Sequence, residues 1–276
     1  MACIPTVHET SLDFSFIEAL THYAAPLRFN SGWTIRLDTH YLGGGRHWYG
    51  WEVADIGILV LFRRAGTLIR SKIGLFQSKR LYPIEQGFDE DTSIDYMIGF
   101  GRLLESDETF LRVTEPRTFS FERASRYKVL SVGDSQWEAI RNYENNYGIP
   151  VHYLLYHPLS IPSVAAIPGS PTPTSPGPCH VGARVVPASC VRLGLESKEP
   201  NYSPSYADFE FRLPPPFDEP DNTCGWRLEE FITTLLVTCQ EGYIAEDPAD
   251  EGLDRVFNRR AGPISAAISV TFDAPN

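Results

Sequence analysis

Residues 53–64, VADIGILVLFRR, and residues 71–81, SKIGLFQSKRL, decide how this chain is to be read. Each is a run of aliphatic and β-branched side chains with charge at its margins, the composition of a buried strand, and Gly66-Thr67 breaks the chain between them. Strand, short turn and strand make an antiparallel hairpin. Side chains alternate along a strand with period two, so Gln77 and Lys79 share one face near the end of the second strand. Asp55 stands at the start of the first. Antiparallel pairing across Gly66 sets the beginning of one strand beside the end of the other, which brings Asp55 close to that pair.

Working outward, residues 33–42 (WTIRLDTHYL) read as a further strand, with Gly43-Gly44-Gly45 as a turn, so that three strands form a meander. Residues 9–24 place Leu12, Phe16, Leu20 and Tyr23 on one helical face, with Pro26 as the stop; Thr10 with Asp13 reads as a capping box. Downstream, the acidic segment 89–108 contains a short helix around Tyr96 to Leu104. Asp134 caps a helix carrying Trp137, Ile140 and Tyr143, Gly148 ends it, and residues 151–157 (VHYLLYH) form a strand. The order is helix, three strands, helix, strand. Seven prolines in the 21 residues from Pro158 to Pro178 predict a loop or linker without a regular element. Beyond it, residues 183–195 read as extended, Leu228, Phe231, Ile232, Leu235 and Leu236 form a helical stripe, and residues 264–274 (ISAAISVTFDA) form a closing strand. The predicted class is mixed α/β: a core over 1–157, a proline-rich loop or linker over 158–178, and an α+β extension over 179–276 that is either a second domain or packed on the first.

With 276 residues and 42% hydrophobic content the chain can bury a sizeable core. No run approaches eighteen apolar residues and no basic stretch precedes an apolar segment at the amino terminus, so the reading is a cytoplasmic protein without a membrane partner. Five cysteines at spacings matching no zinc pattern read as buried thiols. The net charge of −11 weighs against loose, charge-driven attraction to nucleic acid. His40, His47, His152 and His157 make no helix-borne zinc pair. No GK[ST] follows the glycine triplet, and neither Ser78 nor Ser265 sits in a G-x-S-x-G context. Tyr41, Trp48, Tyr49 and Trp51 read as a packed aromatic cluster, and Arg259-Arg260 as an exposed basic pair.

A carboxylate beside a lysine suits phosphodiester hydrolysis: Asp55 holds a divalent cation, and Lys79 orients water or stabilises the pentavalent transition state. Gln77 adds a carbonyl oxygen to the metal shell with one negative charge fewer than a glutamate. The element order, the aspartate of VADIGILV and the Gln77-Ser78-Lys79 triplet together resemble the PD-(D/E)xK nuclease superfamily, closest to its Mrr-like, restriction-endonuclease-like branch, where the last motif is often QxK. The matching stretch covers roughly residues 9–157. One departure is Ala54-Asp55-Ile56-Gly57 in place of the usual Gly-Ile-Asp spacing. The resemblance implies Mg²⁺-dependent endonucleolytic cleavage of DNA and a role in restriction or phage defence; Mn²⁺ is the alternative ion, and the partners expected beside DNA are a partner subunit or a homodimer. It also implies a first-helix glutamate as a second metal carboxylate. Glu9 lies with the Leu12, Phe16, Leu20 stripe and Glu18 opposite, which favours Glu9. A reading from another class stands beside this one: a non-catalytic binding or assembly module, which the acidic charge favours and which keeps Glu9 and Asp55 away from Lys79.

Overall fold

The computed structural model describes residues 9–41, 53–85, 117–158, 161–167, 183–210, 225–247, 249–258 and 264–275. The elements used below are helix α1 (Glu9–Thr21), β1 (Leu27–Arg28), β2 (Thr34–Tyr41), β3 (Ala54–Arg64), β4 (Thr67–Arg80), β5 (Ile84–Glu85), β6 (Arg117–Phe121), helix α2 (Ser135–Tyr147), β7 (Val151–Tyr156), β8 (Ser163–Ile167), β9 (Ala183–Pro187), helix α3 (Ala188–Gly194), β10 (Trp226–Arg227), β11 (Tyr243–Ala245) and β12 (Ile264–Ala274). The class is mixed α/β, a large, mostly β-sheet body with several helices.

The hairpin forms where the sequence places it. Ala65 and Gly66 both take positive φ, 51° and 79°, which a two-residue turn requires if it is to follow the twist of its strands. Strand β4 is the spine of a nine-stranded sheet ordered β1-β2-β12-β3-β4-β7-β9-β10, with β11 also paired to β4. Its carboxy-terminal half lies parallel to β7 from Leu75↔Val151 to Arg80↔Tyr156. Parallel neighbours need a crossover, and α2 supplies it. Asp134 caps this helix by accepting from the Trp137 N–H at 2.7 Å, and Gly148 ends it at φ 65°. Trp137, Ile140 and Tyr143 are its buried face.

The expected three-strand meander is corrected: β12 lies between β2 and β3, antiparallel to the former and parallel to the latter. The run Ala266, Ala267 and Ile268 is buried at consecutive positions, so β12 is covered on both faces and suits the interior of a sheet better than its margin. Strands from both sides of the proline-rich stretch thus share one sheet. Strand β11 meets the other half of β4 through Gly242, at φ +83°; a Cβ there would stand 2.5 Å from the Ile73 carbonyl oxygen.

Three further expectations are corrected. The proline-rich stretch does hold a regular element: β8 pairs with β6 in a separate three-stranded sheet, because its five residues fit between Pro162 and Pro168 and contain no proline. Residues 183–195 are extended only to Pro187, after which α3 begins; proline is tolerated where a helix starts. On α1, Leu12, Phe16 and Leu20 pack half-buried against the core as expected, but Tyr23 is 70% exposed past the helix end, and the most buried positions are Asp13 and Ile17. The predicted stripe at 225–243 becomes a helical turn Leu228–Glu230 continued by a π-helix Phe231–Leu236, burying Leu228, Phe231, Leu235 and Leu236. Cys190 is a buried free thiol and Cys239 a half-buried one. The glycine-triplet turn, the helix near residue 100, the Trp48–Trp51 cluster, Arg259-Arg260 and the other three cysteines lie outside the described residues. No helix among the described residues is long and apolar enough to cross a membrane.

Candidate functional site

Strand β4 outlasts β3 at its carboxy-terminal end. Pairing with β3 stops at Ile56↔Phe76, whereas pairing with β7 continues to Arg80↔Tyr156. Among the described residues, 77–80 therefore have a strand neighbour on one side only, and the N–H groups that would have faced β3 must find other acceptors. They find carboxylates. The Ser78 N–H donates to Asp55 Oδ2 at 2.7 Å, and the Arg80 N–H donates to Glu9 Oε1 at 2.9 Å. Two acidic side chains, one from β3 and one from the first residue of α1, complete the uncovered margin of β4.

Around that margin gather the residues singled out in the sequence. Gln77 Nε2 donates to Asp55 Oδ2 at 2.5 Å. Lys79, 2% exposed, holds its Nζ 3.7 Å from Glu9 Oε2. Glu18 is exposed on the far side of α1. The capping-box reading of Thr10 and Asp13 is corrected: Glu9 lies inside the helix, and Asp13, one helical turn further on, is buried on the same face. Asp13 Oδ1 accepts from Ser78 Oγ at 2.6 Å and from the Tyr156 hydroxyl at 2.8 Å.

Asp13, Ser78 and Tyr156 are the residues sequence reasoning passed over. The signal was the i, i+4 spacing of Glu9 and Asp13, which stacks both on one helix face. Burial raises the Asp13 carboxyl from 3.8 to about 6; the Ser78 and Tyr156 hydrogen bonds lower it, nearby Glu9 raises it and Lys79 lowers it. Burial and the neighbouring Asp13 charge also push Tyr156 well above its usual value, so it stands as a neutral donor. A carboxyl tuned toward neutrality inside an acidic corner is a feature of functional sites.

The donor set suits a hard divalent cation. Asp55, Glu9 and the Gln77 amide oxygen are all oxygen ligands, and Mg²⁺ commonly takes one or two carboxylates with water and substrate oxygens for the rest. Gln77 Oε1 is buried without a hydrogen-bond partner. Turning the amide about its last bond would exchange the oxygen for the nitrogen beside Asp55, an arrangement that opposes two acceptors unless a cation lies between them. No three Asp, Glu, His or Cys side chains among the described residues form a ready-made cage. The residues therefore fit a cation with few protein ligands and do not fit a closed all-protein site. No family model matches the chain, and neither a curated protein nor a solved structure matches it.

Proposed function

We propose that this chain is a metal-dependent endonuclease of the PD-(D/E)xK type, hydrolysing DNA phosphodiester bonds. One observation carries the reading: Asp55, Gln77, Lys79 and Glu9, drawn from two strands and a helix, meet at the uncovered end of β4. Asp55, Gln77 through Oε1, and Glu9 would hold Mg²⁺ or Mn²⁺, which when bound lowers the pKa of water and offsets the charge of the scissile phosphate. Lys79 brings a positive charge to the same corner, where it can stabilise the pentavalent transition state. Asp13 accepts from Ser78 and Tyr156 together and so ties down the carboxy-terminal ends of the parallel strands β4 and β7, the first of which presents Gln77 and Lys79; it is a positioning residue.

The test is cleavage of plasmid and linear DNA, with RNA as a parallel substrate, in Mg²⁺ or Mn²⁺. Asp55→Asn keeps an oxygen for the Ser78 N–H and removes the charge, so it should melt near the wild type yet lose about 100-fold or more in rate. Metal-dependent cleavage that persists in both Asp55→Asn and Lys79→Ala would rule this site out.

A second reading has its own support. Asp55 and Glu9 each commit an oxygen to a strand N–H, which is a structural duty, and the net charge is −11. On that reading the corner locks α1 to the sheet of a non-catalytic binding module, although the separation of Glu9 from Lys79 expected of such a module is not found, the two standing 3.7 Å apart. A folded, monodisperse protein that cleaves neither nucleic acid with either ion would favour it.

A further inference from the structure

We propose that a second site, a cleft at the opposite end of β3, binds a phosphoryl group. Arg28, Arg36 and Arg63 line it with Thr34, Thr271, Asp273 and Pro26, around a cavity of about 160 Å³ that is open to solvent. Strand register builds it. Arg28 stands opposite Thr34, Thr34 opposite Asp273, and Asp273 beside Arg63, so four neighbouring strands present one row of side chains on one face. Arg36 and Thr271 stand opposite each other and form the adjoining row on the same face. A bulge between β3 and β4, where the register shifts at Phe62/Arg63, falls at the arginine that forms one wall.

Among the described residues, two polar atoms in this cleft lack a protein partner. Arg63 Nε and Thr271 Oγ1 are both buried without a hydrogen bond, and Thr271 is only 6% exposed. A buried donor left unsatisfied is costly, and an oxyanion seated above the floor would satisfy both. Two carboxylates are close. Asp38 accepts from Arg36 Nε at 2.8 Å, and Asp273 Oδ1 accepts from the Gly66 N–H at 3.2 Å. Among the described residues, three guanidinium groups against these two acids leave the cleft positive, in a chain whose net charge is −11. Guanidinium forks match phosphate oxygens two at a time, and a tetrahedral phosphoryl group can engage forks from several directions where a planar carboxylate cannot. Such a group can come from a nucleotide or from a nucleic-acid backbone.

This site does not depend on the nuclease reading. Asp55 and Arg63 are separated by eight residues of one strand, roughly 26 Å at 3.3 Å per residue. The experiment is titration of the full chain with inorganic phosphate, with adenosine 5′-monophosphate and with a short DNA duplex lacking terminal phosphates, without divalent metal, followed by calorimetry and amide chemical shifts. Saturable binding is expected, with shifts at Thr34, Arg63 and Thr271, and a loss of tenfold or more in Arg63→Gln. Arg28→Gln, on an exposed two-residue strand, should weaken binding as well and covers the case in which Arg63→Gln folds poorly. Arg141→Gln, at an exposed position of α2, is the control and should bind as the wild type does. Binding of phosphate and the mononucleotide points to a small-molecule source, and binding of the duplex alone to a backbone source; either supports the site. Absence of saturable binding to all three, or binding that both cleft variants leave unchanged, would overturn it.

Discussion

Lys72 and Lys79 stand seven residues apart on β4 and are buried alike, at 0% and 2% exposure, yet their surroundings are opposite. Lys79 sits where β4 has lost a neighbour, with Glu9 3.7 Å from its ammonium group. Lys72 lies in the fully paired part, flanked by β3 on one side and β11 on the other, and its Nζ has no hydrogen-bond partner. Burial lowers the Lys72 pKa below its ordinary 10.5; Cys239 and Glu241 oppose that shift and Arg70 adds to it. Burial alone therefore does not separate the two lysines. What distinguishes Lys79 is the uncovered strand margin beside it, whose N–H groups recruit carboxylates and gather charge in one place.

The largest effect that would sharpen this contrast is at Lys79. Replacing it with alanine leaves the half-buried Glu9 carboxylate without its cation and should cost about 3 kcal/mol in urea unfolding. A loss under about 1 kcal/mol would mean that the 3.7 Å pair is not a working ion pair.

Asp13 comes next. Its carboxyl is raised from 3.8 to about 6, so the folded state binds the proton more tightly than the unfolded state. That contribution to stability is complete below pH 3.8 and is lost as pH rises through about 6. His157 runs the other way: burial lowers it from 6.5 to about 4, so its contribution is complete above pH 6.5 and is lost as pH falls toward 4. The two slopes oppose each other, and wild-type stability should be nearly flat between pH 4 and 6. Asp13→Asn should gain about 2 kcal/mol at neutral pH and expose the acid loss that His157 causes. An unchanged pH profile in that variant would contradict the assignment of the raised pKa to Asp13.

The smallest expected effect has the opposite sign to the first. Lys72→Met keeps the length of the side chain and removes an unsatisfied buried amine, so it should gain about 1 kcal/mol. The wild type should also gain stability as pH rises toward 10.5, because its folded-state lysine is the weaker base, and the variant should lose that slope. Equal destabilisation by Lys72→Met and Lys79→Ala would erase the distinction between the two lysines.

Much of the candidate site was legible because its logic is local. Period two placed Gln77 and Lys79 on one face, and a two-residue turn returned β4 alongside Asp55. Asp13 was misread for an equally local reason: a polar residue three positions after Thr10 fits a helix cap, and only the approach of Ser78 and Tyr156 shows it buried. Nothing near Arg28, Arg36 or Arg63 in the chain announces a shared cleft, since β12, whose Asp273 lies 207 residues beyond Gly66, runs between two of their strands.

By itself the sequence determined the elements that neighbouring residues control: the hairpin, the cap of α2 at Asp134 and its end at Gly148, and the apolar runs that must be buried. The tertiary structure alone decided that β12 separates β2 from β3, that β11 lies against the first half of β4, and that Glu9 and Asp13, on successive turns of α1, reach the other end. Alternation fixes which faces a strand offers. It does not choose among distant partners offering the same faces; that choice rests on side-chain fit and loop closure over the whole chain.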